Sequence, residues 1–205
     1  MIYENNEANI RGAVTGTFAY DHETFGEKFY MAQVKVKRLS DTYDVIPVMA
    51  SEKLIDTNRN YDGEYINISG QFRSYNKHIA GKSRLILSVF ANNVEICGEN
   101  DTLNLNEIYL NGCICKKPTL RETPRGREIS DVLLAVNRQY GKSDYIPCVF
   151  WGRNAHFVSK MEIGVQCQIN GRIQSREYLK KVSETQFEKR TAYEISVGSV
   201  VVEID

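Results

Sequence analysis

Ala135-Val136-Asn137-Arg138, followed by Asp144-Tyr145-Ile146-Pro147, decides the fold because most of it is written twice. One hundred residues upstream stand Val36, Arg38, Asp44, Ile46 and Pro47. Working outward without a gap, the same offset pairs Gly12 with Gly112 and Gly26 with Gly126. The register then slips by one, pairing Gly63 with Gly164, Ile68 with Ile169, Gly70 with Gly171 and Ser74 with Ser175. A slip to 108 pairs Val89 with Val197, Glu95 with Glu203 and Ile96 with Ile204. Glycines and a proline that recur at one offset fix backbone geometry, so the two halves are expected to share one fold. The slips fall where loops, which tolerate insertion, are expected. The polar joint Gly98-Glu99-Asn100-Asp101-Thr102 divides the chain into domains at 1–97 and 106–205.

Each half reads as five strands. Val132, Leu134 and Val136 alternate with other residues, as do Gln168, Asn170 and Arg172 with Cys167, Ile169 and Ile173. In the first half Val34 and Val36 alternate with Lys35 and Lys37. A period of two in Val- and Ile-rich segments marks half-buried strands. One stretch per half breaks it, Ser51–Asn60 and Gly152–Met161. In the second of these, Ala155, Phe157, Val158 and Met161 have helical spacing. The expectation is an all-β chain of two tandem five-stranded OB-fold barrels, each with one short helix between its third and fourth strands.

The formal net charge is zero, which excludes binding by bulk positive charge but not by a local basic face. The first hundred residues carry 11 Lys+Arg against 13 Asp+Glu, and the remainder 15 against 13. Five cysteines, Cys97, Cys113, Cys115, Cys148 and Cys167, form no C-x-x-C pair. With no signal peptide at the start they read as reduced structural thiols in a cytoplasmic, nucleoid-associated protein, with no metal and no cofactor. No apolar run approaches the ~20 residues of a membrane span. There is no Gly-rich phosphate loop, no paired-carboxylate motif and no His beside a candidate nucleophile, so an enzyme is not expected. Asp144 and Glu162 read as isolated surface charges.

Single-strand binders need aromatic platforms for bases and cations that follow phosphates. The second half offers both. Its first hairpin carries Lys116, Arg121, Arg125 and Arg127; beyond it come Arg138-Gln139-Tyr140, Tyr145, Phe150-Trp151-Gly152-Arg153 and Arg172-Ile173-Gln174-Ser175-Arg176-Glu177-Tyr178.

These stretches, with Leu110-Asn111-Gly112, Lys117-Pro118, Thr123-Pro124-Arg125-Gly126 and Ala135-Val136-Asn137-Arg138, make the second half similar to the bacterial single-stranded-DNA-binding protein family over roughly 106–205. The resemblance implies sequence-tolerant single-stranded DNA binding in replication, recombination or repair. It implies base stacking by Tyr140, Tyr145, Trp151 and Tyr178, with Phe150 in the core. Phosphate contacts are expected from Lys116, Arg121, Arg125, Arg127, Arg138, Arg153, Arg172 and Arg176.

The first half departs from that pattern. Ser40, Val45 and Ser51 stand where Tyr140, Tyr145 and Trp151 do, and its hairpin Tyr20–Glu27 is acidic where its counterpart is basic. It keeps Lys35, Lys37, Arg38, Arg73, Lys77 and Arg84, with Tyr75 near the Tyr178 position, so weaker backbone contacts are expected there. Housekeeping members of the family also carry a flexible, acidic-tipped tail that recruits replication and repair partners. The sequence ends at Val200–Asp205, and tail-mediated recruitment is not expected. One-barrel relatives commonly assemble four barrels, so a homodimer giving four OB-folds is expected. The alternative reading is a replication-restart or mobile-element adaptor whose first barrel binds another protein.

Overall fold

A computed structural model describes residues 5–79, 82–98, 103–183 and 186–202. Five strands form the first half: β1 (Asn6–Thr24), β2 (Glu27–Lys37), β3 (Tyr43–Ser51), β4 (Tyr65–Ile79) and β5 (Lys82–Ile96). The second half contains β6 (Leu105–Ile114), β7 (Thr119–Glu122), β8 (Glu128–Asn137), β9 (Ser143–Trp151), α1 (Arg153–Ser159), β10 (Gln166–Lys181) and β11 (Phe187–Val202). Here β6 and β7 are two pieces of the strand that runs unbroken as β1. In the first half β1 is bonded on both sides, to β2 and to β4. The ring closes through β2–β3, the parallel pair β3–β5 and β5–β4. The second ring repeats this through β6–β8, β8–β9, the parallel pair β9–β11, β11–β10 and β10–β6. Both halves are OB-fold barrels, and no helix among the described residues is long and apolar enough to cross a membrane.

The repeated glycines sit where strands cross too closely for a side chain. A Cβ on Gly12 would lie 2.4 Å from the Lys35 carbonyl oxygen, and one on Gly112 2.7 Å from that of Ala135. Gly70 and Gly171 stand at the register shifts of β4–β5 and β10–β11, where a Cβ would meet the Phe90 and Ser196 carbonyls. Such close approaches leave room only for glycine.

The expected helix of the first half does not form. In place of it residues 52–62 make turns. The Asp56 carboxylate accepts the Asn58 N–H at 3.0 Å, and the Asn60 side chain accepts the Asp62 N–H at 3.1 Å. Asx turns of this kind compete with helical bonding. Ile55 and Tyr61 plug the barrel end instead, with the Tyr61 ring edge-on to Phe18 at 5.2 Å. In the second half α1 forms and buries Ala155 and Val158, while Phe157 stays exposed. Trp151 is the last residue of β9 and not part of the helix.

The two barrels share one sheet. β1 and β6 pair antiparallel from Asn6 opposite Leu110 to Arg11 opposite Leu105. A reciprocal clasp locks this join. Asp44 accepts the Arg38 guanidinium at 2.6 and 2.9 Å, the Ser175 N–H at 2.7 Å and Arg172 Nη1 at 2.7 Å. Arg38 also donates to the Ser175 carbonyl, and Ser175 Oγ accepts the Val45 N–H. The mirror set has Asp144 taking the forked Arg138 guanidinium and the Ser74 N–H. Arg138 donates to the Ser74 carbonyl, and Ser74 Oγ accepts the Tyr145 N–H. Asp144 is therefore no surface charge: it is 1% exposed, as is Asp44. Burying a carboxylate is costly unless it is paired and bonded, and both are. The second expected surface charge, Glu162, is exposed, 3.8 Å from Lys117 Nζ.

Candidate nucleic-acid interface

On the second barrel a groove of about 380 Å³ runs between β7, β8, β9 and β11. Lys116, Lys117, Arg121 and Arg176 rim it, and Asp131 and Glu194 stand among them. Arg121 forks onto Asp131 across the β7–β8 ladder, and Arg176 comes within 3.8 Å of Glu194. Burial pushes the Glu194 carboxyl above its ordinary range, against the opposing pull of Arg176. These two acids temper the groove, and single-residue reasoning overlooked them because neither belongs to a charged run.

The β7–β8 turn is built to project cations. Thr123 Oγ1 accepts the Arg127 N–H at 3.0 Å, the Gly126 N–H bonds the Thr123 carbonyl, and Gly126 takes φ +73°. Arg125 and Arg127 leave this turn exposed, as Arg153 leaves the first turn of α1, and none of the three has an ion pair among the described residues. Lys116 is likewise exposed. Arg138 and Arg172, grouped with these on the sequence, are instead held in the clasp, Arg172 also bonding Gln174 at 2.9 Å.

The aromatic residues do not converge on one pocket. Trp151 is half-buried, and its indole N–H reaches Ser196 Oγ at 3.2 Å. Tyr145 is 47% exposed beside the Ser74 end of the clasp. Tyr178 lies at the base of the β10–β11 arm, with the Arg176 guanidinium 5.9 Å from its ring centre. The Tyr140 side chain lies outside the described residues, as do those of Lys77 and Arg84. Phe150 is fully buried, as expected of a core residue.

Tyr178 opens onto a larger groove, about 1090 Å³, between the β10–β11 arm and the first barrel. The arm contributes Lys180, Lys181 and Arg190, and the first barrel Met31 and Leu85. Pro147 borders both grooves. The arm cations were missed because they lie beyond the motif residues; the adjacent pairs Lys180-Lys181 and Lys189-Arg190 on two strands of one hairpin were the available signal.

The cysteines fit structural thiols. All five are free. Burial drives the Cys148 thiol well up and Cys167 to about 11, so neither ionises near neutrality. Cys113 donates to the Gln166 side-chain oxygen at 2.8 Å. The described residues hold no cluster of metal-ligating side chains.

Residues 105–202 match the Single-strand binding protein family. Single-stranded DNA-binding protein A of Bacillus subtilis is 37% identical over 81 residues, covering 36% of this chain and 47% of that protein. Single-stranded DNA-binding protein 1 of Lactococcus lactis is 36% identical over 81 residues, covering 36% and 54%. The chain thus spans about half the length of the curated relatives it matches. Among solved structures, wild-type single-stranded DNA binding protein from Thermus aquaticus superposes with a TM-score of 0.76, covering 98% of this chain and 93% of that one at 17% identity. That likeness extends the shared fold over both barrels. The match to the single-strand binding protein family thus lies wholly within the second barrel, over residues 105–202.

Proposed function

We propose that the chain is a non-enzymatic protein that binds single-stranded DNA with little sequence preference, through its second barrel. One observation carries the reading: the groove cations exist on one barrel only. At the positions of Lys116, Lys117, Arg121 and Arg176 the first barrel has Gly16, Thr17, Asp21 and Tyr75. A cationic groove is what phosphate tracking requires. The names of the relatives support the same ligand.

In this reading Trp151, Tyr145 and Tyr178 offer ring faces to bases. Lys116, Arg125, Arg127, Arg153 and Arg176 meet phosphates directly, and Arg121 does so while sharing its charge with Asp131. Arg138 and Arg172 hold the barrels together. Stacking is tolerant of base identity because every base has a π-face. Replication, recombination and repair are the settings in which such coating serves.

A homodimer with four barrels belongs to the same proposal. The outward face of β1, β4, β6 and β10 is rich in uncharged polar groups such as Asn9, Asn67, Asn111, Gln166 and Gln168, a surface suited to packing against its own copy. Light scattering tests it: twice 23.4 kDa is expected, and 23.4 kDa overturns it.

The test of DNA binding is a titration with oligo-dT read by tryptophan emission, since Trp151 is the single tryptophan. Quenching that saturates, and weakens as salt rises, is expected. No quenching together with no mobility shift overturns the proposal.

A further inference from the structure

The β1–β2 hairpin of the first barrel reverses through two residues. Thr24 pairs with Glu27, so Phe25 and Gly26 make the turn, with φ +49° and +75°. Positive φ at both central positions is the type I′ turn, for which Asn-Gly is the favoured pair. Phe25 is the one non-glycine residue with positive φ among the described residues, and a bulky side chain in that region is strained. Its ring is also fully exposed. The second barrel makes the same reversal through the longer loop Thr123–Arg127, in which Gly126 alone takes positive φ. Backbone strain and an exposed phenyl at one residue mark a side chain held for a contact outside its own chain.

The tip is acidic: Asp21, Glu23 and Glu27 flank it, against Lys28. Asp21 bonds His22 Nδ1 at 2.8 Å and Glu27 pairs with Lys53 at 2.7 Å, while Glu23 is exposed with no ion pair among the described residues. The complementary surface is on the same molecule. The groove of about 1090 Å³ between the β10–β11 arm and the first barrel has Met31, Pro47 and Leu85 on the barrel side and Lys180 and Lys181 on the arm side. Lys189 pairs with Glu177 at 2.8 Å and Arg190 with Glu188 at 2.6 Å, whereas Lys180 and Lys181 have no ion pair among the described residues. The smaller groove of the second barrel fits the tip less well, because Asp131 and Glu194 stand in it and repel carboxylates. The tip does not reach the larger groove of its own chain. Met31 lies six residues beyond Phe25 on β2, roughly 20 Å along a strand. The ladder from Ala19 opposite Met31 to Thr24 opposite Glu27 holds the tip away from it.

We infer that the Phe25 hairpin of one copy docks in the groove between arm and first barrel of a second copy. The ring lies against Met31, Pro47 and Leu85, and the carboxylates face Lys180 and Lys181. An aromatic anchor in an apolar recess with charges matched at the rim is the make-up of a specific protein contact. Each copy carries one tip and one groove, so the contact is heterologous and adds copies in series. It uses none of Asn9, Asn67, Asn111, Gln166 and Gln168 on the polar sheet face, and it needs no DNA.

Sedimentation of the full chain without DNA tests it. The mean mass should rise with protein concentration above its value in dilute solution, and the rise should shrink as salt screens the rim charges. A mass independent of concentration overturns the inference, whichever mass the dilute protein shows. Phe25→Asn restores the favoured Asn-Gly turn, so its urea midpoint should rise while its association weakens about tenfold. Phe25→Tyr keeps a ring and should associate like the unmodified chain. Association unchanged in Phe25→Asn overturns the inference. So does a lowered midpoint, which would place the ring in packing within its own chain. Photocrosslinking locates the contact: Phe25→p-benzoylphenylalanine is mixed with unmodified, nitrogen-15-labelled chain. Adducts on labelled peptides from the arm or from β2 are expected, and labelled adducts confined to other surfaces overturn the assignment.

Discussion

The two barrels have one backbone and two surfaces. Gly12 and Gly112, Gly70 and Gly171, Asp44 and Asp144, and Arg38 and Arg138 fill equivalent places with equivalent neighbours. The faces between the hairpins diverge: Lys116, Lys117, Arg121 and Arg176 on one, Gly16, Thr17, Asp21 and Tyr75 on the other. At the Trp151 position the first barrel has Ser51, which is buried and bonded to the Glu27 carboxylate, itself paired with Lys53 at 2.7 Å. What the chain duplicates is the geometry of closure and joining. What it varies is the chemistry offered to solvent, because a surface side chain changes at little cost to stability while a buried carboxylate does not.

The clasp is where that symmetry is most breakable. Asp144→Ala strands Arg138 and the Ser74 N–H, and Asp44→Ala strands Arg38, Arg172 and the Ser175 N–H. Breaking a buried pair by removing one partner costs about 3–5 kcal/mol. Urea denaturation should show both losses, with Asp44→Ala the larger because it leaves two guanidinium groups uncompensated. Equal midpoints for the two variants would mean that Arg172 draws nothing from Asp44. The next largest effect is expected at Trp151, where replacement by Ala should weaken oligo-dT binding by about 1–3 kcal/mol. An unchanged affinity in the folded variant would return Trp151 to a purely packing role against Ser196.

Smaller effects sharpen the contrast within the basic hairpin. Replacing Arg125 and Arg127 together by Ala should flatten the salt dependence by about 0.7 in log–log slope for each phosphate no longer neutralised. Adding Arg121→Ala should flatten it less than a free arginine would, since Asp131 already takes that guanidinium. An equal third increment would show that DNA displaces Asp131. Least of all, Glu194→Gln should tighten binding slightly at neutral pH. Glu194 titrates above the ordinary 4.5. As pH falls toward that value it therefore loses its charge before other glutamates do, and the groove becomes more cationic. Binding by the unmodified chain should strengthen over that range, and the Glu194→Gln variant should lose that part of the dependence, as titrations at several pH values would show.

The repeat, the strands, the barrel order and the second-half helix were legible because each rests on a local signal: a glycine forced by a close carbonyl, a period of two, an apolar spacing. The first-half helix was misread because Asp56, Asn58 and Asn60 offered side-chain bonds that break helical bonding. Local sequence also marked Arg125, Arg127 and Arg153 as exposed cations, and the structure leaves them so.

By itself, then, the sequence determined two barrels of one fold and the concentration of cations and family motifs on the second. Only the tertiary structure decided which arginines remain free. Arg38 and Arg138, recurring with Asp44 and Asp144, recorded that something was duplicated, but their partners Ser175 and Ser74 lie 137 and 64 residues away. A side chain's partner across that distance is set by how β1 meets β6 and how each arm crosses the other barrel. Burial of Asp144 and the meeting of Tyr145 with Ser74 follow from that packing, and no local periodicity encodes them.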